Sequence, residues 1–235
     1  MAEDEPYYIA TRENLLRDLR DYSGVKPPLE DVGALRIERV LDLGCGIGQA
    51  LFPLAVRRGV FGVGVDISAL GLRMGREFYA RHLPDARVAF IRAGAESLPF
   101  AADSFDLVHC SLALPYTRNA RAIAEVARVL RPGGLFHLKV HHARYYLHEL
   151  LRGLTAGDLS SLIHGGRVLT AGTLYHLARR QPWMWLLNES YQTRWLLRRE
   201  LAKHGMVIER EQVKTNPLAP AFVIRKRQLR QELFT

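Results

Sequence analysis

Short apolar runs that alternate with amphipathic stretches set the tightest limit on what this chain can fold into. "RIERVLDLG" and "VFGVGVDIS" read as strands buried on both faces, and each leads into a segment of helical periodicity. In "ALGLRMGREFYARHL" the apolar positions are Leu70, Met74, Phe78 and Leu83; in "NARAIAEVARVLRPGG" they are Ile123, Val126 and Leu130, with Pro132 and Gly133 as the stop. "ARVAFIRAG", "SFDLVHCSLAL" and "LFHLKVHH" supply three more strands, and "VIEREQVKT" and "APAFVIRKR" lie close enough to pair antiparallel. This order builds a sheet covered by helices on both faces. The expected fold is α/β, a doubly wound, Rossmann-like seven-stranded sheet, mostly parallel with an antiparallel last strand, in one domain spanning 1–235. Between about His142 and Asn188 the alternation lapses into short helices parted by glycines, so a helical insertion over 142–188 is expected after the fifth strand. At the start, "YYIATRENLLRDL" reads as a helix capped by Thr11, with Leu15, Leu16 and Leu19 facing inward.

The stretch "VLDLGCGIGQ" closes the first strand with three glycines in five residues. A backbone stripped of side chains there admits a nucleotide cofactor or a phosphate, or serves only a cramped turn. Gly44, Gly46 and Gly48 read G-x-G-x-G, which is not the G-x-G-x-x-G spacing of dinucleotide sites. Companion residues narrow the choice. Asp66 ends the second strand, where a carboxylate either accepts from ribose hydroxyls or is simply solvated. Asp42 stands inside an apolar run and needs a polar reason to be there. The segment "AGAESLPFAADSFDLV" leaves the third strand, turns at Leu98-Pro99 and enters the fourth through Phe105-Asp106, and "RVLRPGG" precedes the fifth.

Composition narrows the setting. With 48% hydrophobic and 24% charged residues over 235 positions, the chain suits one globular domain. The formal net charge of +9 comes from positive residues spread along the chain, which reads either as a solvated basic surface or as a nucleic-acid footprint. Cys45 and Cys110 fall in apolar or glycine-rich stretches and suit reduced thiols, so no disulfide is expected. No apolar run approaches the roughly 20 residues of a membrane span, and "MAEDEPYY" is acidic where a secretory signal is basic. A soluble, cytoplasmic protein with no membrane partner and no metal is expected.

Together these motifs closely resemble the class I S-adenosylmethionine-dependent methyltransferases, in particular the small-molecule branch that includes ubiquinone and sterol methyltransferases. The resemblance is strong over Arg36 to His141 and loose over the final strand pair. It rests on "LDLGCGIG", Asp66, the "AE-x-LPF…SFD" pattern from Ala95 to Asp106, and "RVL-x-PGG" from Arg128 to Gly134. It implies that Gly44, Cys45 and Gly46 line the methionine moiety of S-adenosylmethionine, with Asp42 organising its amino group. Asp66 then holds the ribose, Ile67 packs on the adenine, Ala95 and Glu96 reach the adenine edge, and Ser111 lies beneath the sulfonium. Relatives often carry "GDAE" where this chain has "AGAE", so Gly94 stands where an acid would accept from the adenine amino group.

The implied activity is direct in-line methyl transfer to an O, N or C nucleophile of a small molecule, leaving S-adenosylhomocysteine. Candidate bases are Tyr116, His141 and His142; the two histidines are adjacent on a strand, point to opposite faces and make a poor metal pair. Relatives often read "LHH" where this chain has "LPY", so no histidine role transfers to Leu114–Tyr116. Substrate choice is expected in the insertion, with Tyr116, Tyr145, Tyr146, Trp183, Trp185 and Tyr191, together with Glu189, as apolar and aromatic walls with a few polar groups. The same aromatics also read as the insertion's own core. Tyr8 and Arg12 are placed near the cofactor's carboxylate. The competing readings are an RNA-modifying methyltransferase, which the charge favours, and a non-catalytic S-adenosylmethionine-binding protein.

Overall fold

The computed structural model describes residues 5–21, 36–53, 59–179, 181–182, 189–212 and 218–228. Its strands are β1 (Arg39–Leu43), β2 (Phe61–Asp66), β3 (Val88–Arg92), β4 (Phe105–Ser111), β5 (Leu130–Lys139), β6 (Met206–Gln212) and β7 (Ala221–Lys226). They form one seven-stranded sheet in the order β3-β2-β1-β4-β5-β7-β6. The first five strands pair in parallel, and β7 runs antiparallel between β5 and β6. This is the sheet expected from the sequence.

Among the described residues the helices α1 (Glu5–Arg20), α2 (Ala69–His82), α3 (Asn119–Val129), α4 (Ala143–Ala156), α5 (Leu159–Ala178) and α6 (Arg194–Ala202) accompany it. On one face of the sheet Leu41, Val63, Val108 and Phe136 pack with Ile123 and Val126 of α3 and Leu197 and Leu201 of α6. On the other, Val40, Phe90 and Leu107 pack with Leu72 and Phe78 of α2 and Leu15 of α1. Strands buried on both faces read as continuous apolar runs, which is why the sequence pattern located them.

Three local expectations are corrected. Thr11 does not cap the first helix; α1 starts at Glu5, and Thr11 is buried within it. Pro132 and Gly133 do not follow α3 as a stop, because the helix has already ended at Val129 and β5 begins at Leu130. The residue before a proline is driven to extended conformations, so the chain enters the sheet at Phe105↔Leu130 and absorbs "RPGG" in a register shift before Leu107↔Leu135. The glycines at 165 and 166 do not part short helices but lie inside α5. A Cβ on Gly165 would sit 2.9 Å from the Tyr146 carbonyl oxygen, so this position lets α5 press against α4. The stretch Trp183–Asn188 lies outside the described residues. Among the described residues no helix is long and apolar enough to cross a membrane.

Asp106, the acid of "SFD", is a structural staple. Its Oδ2 accepts from the backbone N–H groups of Glu38 and Arg39, each at 2.7 Å, and its Oδ1 lies 2.7 Å from Arg131 Nη1. The entry of β1 is thereby tied to β4 and β5. Asp106→Ala strands two backbone donors and is expected to lower stability by about 3 kcal/mol in urea denaturation. A variant as stable as the parent would contradict the staple.

Candidate functional site

The glycine loop sits at the carboxyl end of β1 and is held by β2. Gly44 and Cys45 N–H both donate to the Val65 carbonyl, at 2.8 and 3.1 Å. Asp66 accepts from Gly46 N–H at 2.8 Å through Oδ2 and from Ser68 N–H at 2.9 Å through Oδ1. Ser68 in turn caps α2, its hydroxyl accepting from Gly71 N–H at 3.0 Å. Gly44 takes a left-handed φ of 72°, and a Cβ there would run into the Ala113 methyl. Ala113 is brought to that point by Leu112, itself at φ 63°, a conformation that costs a non-glycine residue about 1 kcal/mol and concentrates at functional turns.

A cavity of about 400 Å³ opens above this loop, at the carboxyl ends of β1, β2 and β4. Of the residues named from the sequence, Gly44, Asp66, Ile67, Ala95, Glu96 and Tyr116 line it, together with Val65, Cys110 and Leu114. Asp42, Cys45, Gly46 and Ser111 are not among its lining. Ile67 is 58% exposed, an apolar shelf at the rim, and Glu96 is fixed as its Oε1 accepts from Arg118 N–H at 2.9 Å. Each Asp66 oxygen keeps a lone pair beyond its backbone bond. A glycine among apolar walls, a carboxylate and an apolar shelf suit a flat ring joined to vicinal hydroxyls, and the volume is that of a small-molecule or cofactor site. Nearby, α1 lies against the loop, with the Tyr8 ring 3.5 Å from where a Cβ on Gly46 would stand, while Arg12 is exposed.

Asp42 is buried and does not line this cavity. Its Oδ1 lies 2.9 Å from His109 Nδ1, and the two side chains are only 4% and 6% exposed. The sheet register continues the row to His137, whose ring stacks on His109 at 5.1 Å. Neither His137 nitrogen has a hydrogen-bond partner among the described residues. Burial first, then the neighbouring His109, drives its pKa down to about 3. The buried Asp42 therefore has its polar reason in His109, a partner 67 residues away that no local motif announces. Cys45 packs over Gly64, and Cys110 is fully buried. Burial pushes both thiols up, Cys110 to about 12, so neither is a reactive thiolate at neutral pH and the two are free cysteines.

A second polar group adjoins the cavity wall at Tyr116. The Ser190 N–H donates to the Pro115 carbonyl at 3.2 Å and lays the preceding Glu189 beside the short helical turn Leu114–Tyr116. Glu189 is 3% exposed; its Oε1 accepts from the Tyr146 hydroxyl at 2.7 Å and its Oε2 lies 2.9 Å from His164 Nε2. Burial first, then the adjacent, hydrogen-bonded Glu189, hold the Tyr116 and Tyr146 phenols protonated well above the usual range. His141 stacks on Tyr145 at 3.9 Å and is pushed toward the neutral form by burial, while His142 caps α4, its Nδ1 accepting from Arg144 N–H at 3.2 Å. Tyr191 sits apart, over Gly172 and stacked on His176 at 5.2 Å. Trp183 and Trp185 lie outside the described residues. His164 was not singled out in the sequence, because only the packing of α5 on α4 brings it to Glu189.

Residues 40–134 match a family model described as a methyltransferase domain. A ubiquinone/menaquinone biosynthesis C-methyltransferase from Proteus mirabilis is 36% identical over 134 residues, covering 54% of this chain and 53% of that protein. An O-methyltransferase from Aspergillus nomiae is 33% identical over 105 residues, covering 44% and 47%. The chain spans about half the length of the curated relatives it matches. In fold it is similar to a SAM-dependent methyltransferase from Methanosarcina mazei, with a TM-score of 0.61 at 22% identity over 87% of this chain and 99% of that one. Residues 40–134 thus resemble a methyltransferase domain, and the chain shares its fold with a SAM-dependent methyltransferase.

The buried histidine row makes stability acid-sensitive. Between pH 6.5 and about 3 the unfolded chain binds a proton at His137 that the folded chain refuses, so stability complete above pH 6.5 is lost as pH falls below it. At pH 5 this costs about 2 kcal/mol relative to pH 7. Urea denaturation of His137→Phe at both pH values is expected to show that part of the acid slope gone; an unchanged slope would place the proton elsewhere.

Proposed function

We infer that this chain transfers a methyl group from S-adenosylmethionine to a small-molecule nucleophile. The observation that carries the reading is the cavity built on Gly44, Asp66 and Ile67 at the carboxyl ends of the parallel strands, where open α/β sheets take their ligands. Asp66 holds the ribose hydroxyls on its free lone pairs, Ile67 shelves the adenine, and Ala95 with Glu96 borders its edge. Gly44, Cys45 and Gly46 present backbone to the methionine end. Asp42 acts on that end through the loop above it, braced by His109, and Ser111 marks the end of β4 beneath the reacting centre. S-adenosylmethionine supplies an already activated methyl on its sulfonium, so the protein's work is alignment and exclusion of water.

The acceptor side is Tyr116 and what stands behind it. Tyr116 stands beside Glu189, which holds its phenol protonated, and it keeps a lone pair for a donor in the cavity. An acceptor hydroxyl or amine passes its proton to Tyr116 as the Tyr116 proton moves to Glu189, which makes the buried carboxylate the final base. The 142–188 segment serves as the cap over this side, in a single domain that works in the cytoplasm with its thiols reduced.

Incubation with methyl-labelled S-adenosylmethionine and extract of the source cells is expected to put label in the small-molecule fraction. Label in nucleic acid would favour the RNA reading that the +9 charge suggests, and no label alongside tight S-adenosylhomocysteine binding would favour a sensor. Ile67→Glu, which sets a carboxylate on the apolar shelf, is expected to weaken S-adenosylhomocysteine binding by calorimetry about 30-fold. Glu189→Gln is expected to leave that affinity within about threefold and to slow transfer about a hundredfold; equal loss of both would deny it the base role.

A further inference from the structure

Another cavity, of about 350 Å³, lies between the start of α3, the end of α5 and α6. The turn at Thr117–Asn119 separates it from the cavity above the glycine loop. Thr117 lines that cavity, while Gln181 lines this one and grips the turn. Its Nε2 donates to the Thr117 carbonyl and its Oε1 accepts from Asn119 N–H, each at 2.8 Å. Arg118, Arg121, Arg179 and Lys203 line the cavity against one acid, Glu200. That acid is buried and already neutralised, with Lys203 Nζ 2.6 Å from one oxygen and Arg199 Nη2 3.3 Å from the other. The guanidiniums of Arg121 and Arg179 have no carboxylate partner among the described residues.

Two further features point the same way. Tyr175 is only 2% exposed yet lines the cavity, and its hydroxyl has no hydrogen-bond partner among the described residues. Burial first, then Glu200, hold that phenol protonated far above its usual range, so it is a donor at neutral pH. The start of α3 has no side-chain cap and no acid in its first turn, and Ala120 of that turn lines the cavity. A helix start left in this state carries positive partial charge and favours an anion. Arg179 itself ends α5 at a left-handed φ of 57°, a position that glycine fills at lower cost.

The unmet groups are cations and donors, so the complementary ligand is an anion rich in acceptor oxygens. One carboxylate occupies one guanidinium; a phosphate offers oxygens to two and still accepts from a hydroxyl. S-adenosylmethionine carries no phosphate, so this cavity stands apart from the proposed donor seat. We propose that it binds a phosphate-bearing ligand, with Arg121 and Arg179 on the phosphate oxygens and the Tyr175 hydroxyl donating beside them. The phosphate belongs either to a small phosphorylated molecule or to a nucleic-acid backbone, and the two sources are separable by experiment.

Calorimetric titration of the full chain with inorganic pyrophosphate tests the site. The expected dissociation constant is about 0.1 mM, weakened about tenfold in Arg121→Gln/Arg179→Gln and about threefold in Tyr175→Phe. Arg73→Gln/Arg81→Gln, which removes the same charge from exposed positions of α2, should bind as the parent does. All three variants should keep the parent melting temperature and S-adenosylhomocysteine affinity. A single-stranded RNA of about 12 nucleotides then identifies the source. Affinity at least tenfold above that of pyrophosphate, lost in the same double variant, assigns the site to a nucleic-acid backbone; affinity no better than pyrophosphate assigns it to a small phosphorylated ligand, and either supports the proposal. No binding of pyrophosphate up to about 10 mM overturns it. So does binding that the cavity variants leave untouched, or that the α2 variant weakens equally. None of these readouts depends on methyl transfer.

Discussion

The carboxylate of Asp66 holds the working end of this fold together. One oxygen fixes the glycine loop through Gly46 N–H, and the other fixes the start of α2 through Ser68 N–H. The loop and the helix come from different strands, and this acid joins them alongside the Gly44 and Cys45 N–H bonds to the Val65 carbonyl and the Tyr79 hydroxyl bond to the Gly48 carbonyl. The Asp66 bonds are charge-assisted and the donors are backbone, which makes the geometry insensitive to side-chain identity around it. What the fold gains is a concave surface with a glycine among apolar walls, bordered by Ala113 where Gly44 leaves space. A cavity of this kind is fixed before any ligand arrives, and preorganisation lowers the ordering cost of binding.

The acceptor side is built by a different means. Glu189 is a buried acid surrounded by phenols and an imidazole, a group that would be costly to bury alone and is tolerable because its oxygens are satisfied. Its position depends on three separated pieces of chain: the turn at Leu114–Tyr116, the helix that carries Tyr146, and the helix that carries His164. In the proposed reading fold and site divide the labour: the sheet ends hold the donor, and the helices after β5 meet the acceptor.

How much of this was legible beforehand follows the range of each interaction. The strands were readable because burial on both faces writes itself as consecutive apolar residues, and the glycine loop because its glycines cluster, although the residue that crowds Gly44 is the distant Ala113. Asp66 was singled out by its place at a strand end and Ile67 only through the family resemblance, and both line the cavity. Asp42 signalled a polar partner by its place in an apolar run, and that partner is His109 on a neighbouring strand, which no local motif announces. Helix ends failed for a similar reason. Pro132 looked like a helix stop but acts within a strand, and the glycines at 165 and 166 looked like breaks but provide close packing that only the tertiary contact with Tyr146 explains.

The central claim is that the glycine loop and Asp66 form the seat of S-adenosylmethionine, with its reactive end toward Tyr116. A crystal structure with S-adenosylhomocysteine tests it most directly. The account predicts both ribose hydroxyls on the Asp66 carboxylate, the adenine against Ile67, and the sulfur on the Tyr116 side of Gly44. A ligand bound elsewhere, or one seated in the cavity with its ribose away from Asp66, would contradict it.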